Sequence, residues 1–227
     1  MRRLWVLSLA MAAALATIAL AAPASADGST AWKVTVTNLT PPGPGAPGSQ
    51  PLSPPLFVVH SGRTHVWRVG ELASHGVAAI AEDADNSVLE SALPKLAGVR
   101  TVFTGAGGPI PSGQSRTFTV QTSGRFARLS VLTMLVNTND GFTGLDAVGL
   151  AGRGTALVRM AYDAGSERNN ELRAFIPGPC CNHPFVRDPE GALIRPHQGI
   201  TGAGELDPAL YDWQDPVARF TIQRAGD

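Results

Sequence analysis

The 227-residue sequence carries 18 basic and 18 acidic residues, 16% charged in all, with 25 glycines, 18 prolines and two cysteines. So even a balance excludes a general nucleic-acid binder, which concentrates basic residues in a stripe or patch. Two cysteines exclude a disulfide scaffold, so a buried apolar core has to supply the stability.

Arg2 and Arg3 precede the apolar run "LWVLSLAMAAALATIALAA", and "ASA" at positions 24–26 gives the small-x-small pattern that signal peptidase accepts. A signal peptide over residues 1–26 and export follow; the competing reading is a retained anchor, because the run approaches the roughly 20 apolar residues that span a bilayer. No later run is long enough to span, so the expectation after cleavage is a chain without a transmembrane segment, secreted or held in the periplasm or cell envelope. Residues 27–227, about 200 residues, suffice for one core and are short for two domains, so one domain is expected. Loss of Arg2 and Arg3 leaves 16 basic against 18 acidic residues, a net charge of −2.

"AWKVTVTNLT" sets Trp32, Val34 and Val36 against Lys33, Thr35 and Thr37, the period of two of a half-buried strand. The stretch over residues 41–55 is proline and glycine with almost nothing to bury, a loop or extended crossing whose ends are held by the strands around it. "LFVVH" is the next short strand. Residues 69–96 change pattern. "ELASHGVAAIAED" has helical spacing at Leu72, Val77 and Ile80, and "SVLESALPKL" begins with the Ser87 and Glu90 of a capping box. The acidic "EDADN" between these two helices reads as helix-terminus chemistry rather than as a metal site. The β pattern then returns in "RTFTVQ", "RFARLSVLTMLVN", "GTALVRMAY" and "VARFTIQR". Five or more strands with glycine-rich turns and a small helical insertion predict a mainly β protein, an antiparallel β-sandwich.

Cys180 and Cys181 are adjacent, and a vicinal disulfide, an intermolecular bridge and free thiols all remain open. Their spacing from His183 fits no standard zinc pattern. Asp140 emerges after the apolar run "LSVLTMLVN", and Asp163 closes "ALVRMAY". If those strands are neighbours, Asp140, Asp163 and Glu167 converge on one rim. Converging carboxylates repel unless a cation sits between them, and calcium is the hard, oxygen-seeking candidate in an exported protein. The alternative is that Asn139, Asp140, Asp163 and Gly165 simply make turns. The spacing is not that of an EF-hand.

"PSGQSRTFTVQ", "RLSVLTMLVNTNDGFTGLDAVGL" and "MAYDAGSERNNE" resemble the spondin domain, the N-terminal module of the F-spondin and mindin family of extracellular matrix proteins, including its stand-alone bacterial relatives. "TNDGFTG" and "YDAGSE" stand where that family has Ser-Pro-Asp-Trp-x-x-Gly and Tyr-Asp-Ala-Gly-Thr-Asp. The likeness extends over residues 32–224. It implies a sandwich similar to membrane-associating C2 modules with calcium on its loops, held by Asp140, Asp163 and Glu167. It places Asp146 near the site as a residue that fixes the loop by accepting backbone hydrogen bonds. It also puts Gly141 where the family has tryptophan and Thr119 where it has a carboxylate.

No nucleophile elbow, zinc-protease motif, phosphate loop or dinucleotide fingerprint is present in the sequence. His60, at the end of "LFVVH", could face a site, although a lone histidine is more often a hydrogen-bonded structural residue. Phe142 closes an apolar cluster under its loop or, in the other reading, stands out for a peripheral contact with a membrane or ligand. Trp67 and Trp213 read as core. The expectation is a non-enzymatic, exported calcium-binding sandwich that engages an extracellular or cell-surface ligand, as in adhesion. The alternatives are a hydrolase using Asp163 or His60 as a general base and a metal-free structural envelope protein.

Overall fold

A computed structural model describes residues 28–43, 49–152 and 154–226. The expected signal peptide, residues 1–26, lies outside the described residues. Among the described residues ten strands form two antiparallel sheets. In chain order they are β1 (Ser29–Asn38), β2 (Leu56–His60), β3 (Val99–Thr104), β4 (Ser115–Ser123), β5 (Arg128–Met134), β6 (Gly141–Gly149), β7 (Thr155–Arg159), β8 (Tyr162–Asp163), β9 (Arg195–Pro196) and β10 (Ala218–Arg224). One sheet has the order β4-β1-β10-β7, the other β3-β2-β5-β6-β8-β9.

The difference between alternating and continuous apolar strands follows from this layering. β1 buries Trp32, Val34 and Val36 against the second sheet and turns Lys33 to water. β2 is buried along its whole length. Phe57 and Val59 fill the core between the sheets, while Leu56 and Val58 face a second apolar layer on the outer side. That layer consists of α1 (His75–Asp83), α2 (Ser87–Ala92) and a 3-10 turn at Leu93–Lys95, which bring Val77, Ile80, Leu89 and Leu93 onto the six-stranded sheet. A strand covered on both faces has no polar side to show, so its sequence reads as an unbroken apolar run.

The helices differ from expectation in detail. Leu72 is 65% exposed and precedes α1, which starts at His75 with Ser74 as its N-cap, accepting from the Val77 N–H. The capping box at Ser87 does not form. Asn86 occupies the cap position, Asp85 Oδ1 accepts from the Ser87 N–H, and Glu90 turns away to accept a hydrogen bond from Thr104 on β3.

The ends of the proline-glycine segment are held as expected. Asn38 Nδ2 donates to the Gln50 and Ile110 carbonyls, and Ser49 N–H and Oγ both donate to the Pro41 carbonyl. Cys180 and Cys181 form a vicinal disulfide, which removes them as thiolate ligands. Trp67 and Trp213 are both buried. Among the described residues no helix is long and apolar enough to cross a membrane.

Candidate metal centre

The two aspartates meet by a different route from adjacent long strands. "ALVRMAY" is not one strand: β7 lies in the four-stranded sheet, and the chain crosses at Met160 and Ala161 into β8 of the other sheet. "GFTGLDAVG", which reads as a loop, is the strand β6 between β5 and β8. β6 pairs with β8 so that Gly141 lies opposite Asp163, which sets Asp140 beside that strand's end. Ala164 N–H donates to the Asp140 carbonyl at 3.2 Å and closes the corner.

Both aspartates are buried, and backbone amides fix them. Asp140 Oδ2 accepts from the Ser166 N–H at 2.8 Å, the Glu167 N–H at 2.9 Å and the Ser166 hydroxyl at 3.2 Å. Asp163 Oδ1 accepts from the Gly165 N–H at 2.6 Å, a local turn of the kind aspartate favours. Gly165 has φ +68°, and a Cβ there would lie 2.5 Å from the Ala192 carbonyl oxygen, so "YDAGSE" needs its glycine both for the turn and for the close approach of the C-terminal loop. Asp163 Oδ2 accepts from Asn169 at 2.6 Å and from Arg195 Nη2 at 2.8 Å.

Glu167 is 1% exposed and reaches the same rim. Its nearest cation is Arg187, whose Nε lies 3.4 Å from Oε1 but makes its closer contact, 2.5 Å, with Glu82. Arg187 Nη2 also pairs with Asp83. One guanidinium thus serves Glu82, Asp83 and Glu167. The "EDADN" segment therefore does more than shape helix ends, since its first two residues stand at the rim. Nothing in the spacing announces this, because Arg187 lies 104 residues from Asp83.

This crowding leaves buried oxygens without hydrogen-bond partners: Asp140 Oδ1 and both Oε atoms of Glu167. Burial first, and then the Asp163 charge, push the Asp140 carboxyl well up toward neutrality, against the pull of its amide donors. Burial, Glu82 and Asp140 push Glu167 up to about 8. A buried carboxylate with unpaired oxygens either keeps a proton or takes a cation. The unpartnered atoms are hard oxygen donors on two side chains, and that donor set suits calcium. The three carboxylates do not stand as a ready cage, however: among the described residues no group of three or more His, Cys, Asp or Glu side chains is placed to hold an ion.

Other expected site residues lie elsewhere. Thr119 faces out from β4, paired with Lys33 on the four-stranded sheet, so its position is no part of the rim. Asp146 is not near Asp140 in function or place. It sits toward the opposite end of β6, where it accepts from the Val66 N–H and pairs with His65 at 2.5 Å. It does fix a loop by accepting a backbone hydrogen bond, but that loop is the one after β2. His60 is fully buried at that same end, with Nε2 2.8 Å from the Ser130 hydroxyl and Nδ1 2.9 Å from the Ser61 carbonyl. Burial lowers its pKa. Neither His60 nor Asp163, the two candidate bases of a hydrolase, has an oxygen or nitrogen left without a partner. Phe142 is completely buried, edge-on to Trp67 with ring centroids 5.0 Å apart, so it closes the apolar cluster and offers nothing to a membrane.

A search of curated proteins finds no match to the chain. The sequence profile described as Spondin_N matches residues 47–167, more than half the chain, from the loop before β2 to Glu167 at the rim. That span contains β2 to β8, both covering helices, Asp140 and Asp163. The chain belongs to the Spondin_N family, whose domains fit an extracellular module and are generally non-enzymatic.

Proposed function

We propose that this chain is an exported, non-enzymatic binding module whose carboxylate rim takes a calcium ion and engages an extracellular or cell-surface ligand, as an adhesion domain does. The observation that carries the reading is the set of three buried oxygens without a hydrogen-bond partner, Asp140 Oδ1 and the two Oε atoms of Glu167. Asp140 and Glu167 would hold the ion through these atoms, and Asp163 adds its charge from the neighbouring strand. When bound, calcium supplies the positive charge that lets these carboxylates remain ionised together. The amides of Ser166 and Glu167 keep Asp140 aimed at the rim, and the Gly165 turn keeps Asp163 beside it. Both aspartates are thus held before any ion arrives, so little ordering entropy remains to be lost on binding.

The test is the thermal midpoint with calcium and with excess chelator, for the parent and for Asp140→Asn and Glu167→Gln. A ligand held only by the native state stabilises it by about 2.7 kcal/mol at a hundredfold excess over its Kd. Calcium is expected to raise the midpoint of the parent and to raise it less in both variants. A parent midpoint that ignores calcium and chelator alike overturns the assignment.

A second reading, a metal-free structural module of the envelope, draws on Arg187 and Arg195, whose guanidiniums already neutralise part of the rim. It expects the same measurement to return no calcium response.

A further inference from the structure

At the far end of the sandwich the charge is of the opposite sign. From Ser91 to Asn139 the sequence has no acidic residue, while Lys95, Arg100, Arg116, Arg125 and Arg128 all fall within it. A second acid-free stretch, from Gly28 to Gly70, contributes Arg63. The topology folds these stretches against each other. His60 ends β2 opposite Arg128 on β5, and the turn between β4 and β5 carries Arg125 to the same end. The carboxylate rim lies at the other end of these strands, where Met134 on β5 pairs with Phe142 next to Asp140.

Between the loop after β2 and the residues leading into β3 is a cavity of about 780 Å³, lined by Ser61, Gly62, Arg63, Thr64, Ala97, Gly98 and Arg125. No carboxylate is among its lining residues. Its walls are fixed by the backbone. Ser61 N–H donates to the Gly98 carbonyl at 2.8 Å, and Thr64 N–H to the Ser61 carbonyl at 3.2 Å. The Ser61 and Thr64 hydroxyls come within 3.5 Å of each other and face the place a side chain at position 98 would take, since a Cβ there would lie 2.2 Å from Thr64 Oγ1. Arg125 is anchored over the Phe126 ring and by a 3.3 Å bond from Nη2 to the Ala97 carbonyl. Arg128 borders the site, donating to the Ala147 carbonyl. Among the described residues none of Arg63, Arg125 and Arg128 makes an ion pair with a carboxylate, in contrast to Arg187 and Arg195 at the rim. The carboxylate closest in the local network, Asp146, is taken up by His65 and the Val66 amide.

Guanidiniums without counter-charges, beside hydroxyl donors in a concave wall, have the complementarity of a tetrahedral oxyanion, whose oxygens accept several charge-assisted hydrogen bonds at once. The cavity is larger than such an anion, so it has room for the group that carries it. We propose that this cavity binds the sulfate or phosphate group of an organic monoester, with Arg63 and Arg125 holding the anion and the Ser61 and Thr64 hydroxyls donating to its oxygens. The site is independent of the carboxylate rim and of any ion there.

The experiment titrates the protein with glucose 6-sulfate, glucose 6-phosphate, inorganic sulfate and inorganic phosphate at matched ionic strength in sodium chloride, by calorimetry. It is done with calcium and with chelator, on the parent and on Arg63→Gln/Arg125→Gln. Both arginines are exposed, and the double variant is first checked for an unchanged thermal midpoint. The expected result is saturable binding of at least one ester, weakened about tenfold or more in the double variant and indifferent to calcium. Tighter binding of an ester than of its inorganic anion assigns the organic group a share of the site. Equal binding reduces the proposal to an anion site and overturns its ester part. The whole proposal is overturned if no probe binds better in the parent than in the double variant, or if binding appears only with calcium, which would place the ligand at the opposite end. Should the double variant lose its fold, Gly98→Ala, which places a methyl group against Thr64, gives the same comparison from the other wall.

Discussion

Arg187 Nε lies 2.5 Å from Glu82 Oε2, so a residue of the C-terminal loop reaches across the rim to the last turn of α1 and ties the helical layer to the sandwich. The same guanidinium faces Glu167 at 3.4 Å and pairs with Asp83. It is the resident cation of a crowded anionic corner, and any divalent ion taken up there would compete with it.

Replacing it separates the two roles. Arg187→Gln leaves three partly buried carboxylates without their counter-ion and is expected to destabilise the calcium-free protein by about 2–4 kcal/mol. The same change should increase the midpoint shift that calcium produces. Chemical unfolding with and without chelator checks both parts. A calcium shift smaller in the variant than in the parent contradicts the competition.

Glu167 gives the calcium-free protein a pH dependence of definite sign. Its folded-state pKa of about 8 lies above the 4.5 of an ordinary glutamate, so between these values the folded state holds a proton that the unfolded chain has released. Its contribution to stability is full below about 4.5 and is lost as the pH rises through about 8, on the order of 5 kcal/mol in all. Glu167→Gln, which cannot ionise, is expected to flatten this limb in unfolding curves recorded in chelator from pH 5 to 9.

His197 works in the opposite direction at lower pH. It is buried against Trp213, its Nδ1 accepts from the Gly199 N–H, and its Nε2 has no partner. Burial lowers its pKa from 6.5 to about 4. The unfolded chain therefore takes up a proton that the folded state refuses, and stability present above 6.5 is lost as the pH falls toward 4, by about 3 kcal/mol. His197→Gln should remove that acid limb. An unaltered slope between pH 4 and 6.5 shows that another group sets it.

Phe142 is the centre of the aromatic cluster formed with Trp67 and Tyr162 on the outer face of the six-stranded sheet. Phe142→Ala should cost about 3–5 kcal/mol and change the fluorescence of Trp67. If the variant keeps the parent's urea midpoint, the cluster does not hold the helical layer down.

What the sequence discloses and what it hides divide along a physical line. β1 is legible because one face meets the core and the other meets water, so Trp32, Val34 and Val36 alternate with polar residues. β6 is hidden because backbone packs where side chains usually do. A Cβ on Gly144 would stand 1.9 Å from the Val131 carbonyl oxygen of β5, so glycine there marks close strand contact, although in a sequence it reads as a turn. The carboxylates were readable as residue types at apolar run ends, and "YDAGSE" as a family signature. Their cationic partners were not. Arg187 lies in a loop and Arg195 on the two-residue strand β9, neither in a stretch with periodicity, and only the folded chain brings Arg187 to Glu82 and Asp83 or Arg195 to Asp163. The capping box failed for a related reason: Thr104 on β3 offers Glu90 a tertiary partner that competes with the local one.

The order of strands in the smaller sheet has a consequence for how the molecule is made. β10, the last strand, is inserted between β1, the first, and β7. Until residues 218–224 are available, β1 has only β4 for a neighbour, its other edge exposes unpaired amides and carbonyls, and β7 has no partner in that sheet. The four-stranded sheet therefore closes only once residues 218–224 are available, by a contact between strands almost 190 residues apart, as with Val34 and Ile222. Pairing over so long a separation is slow.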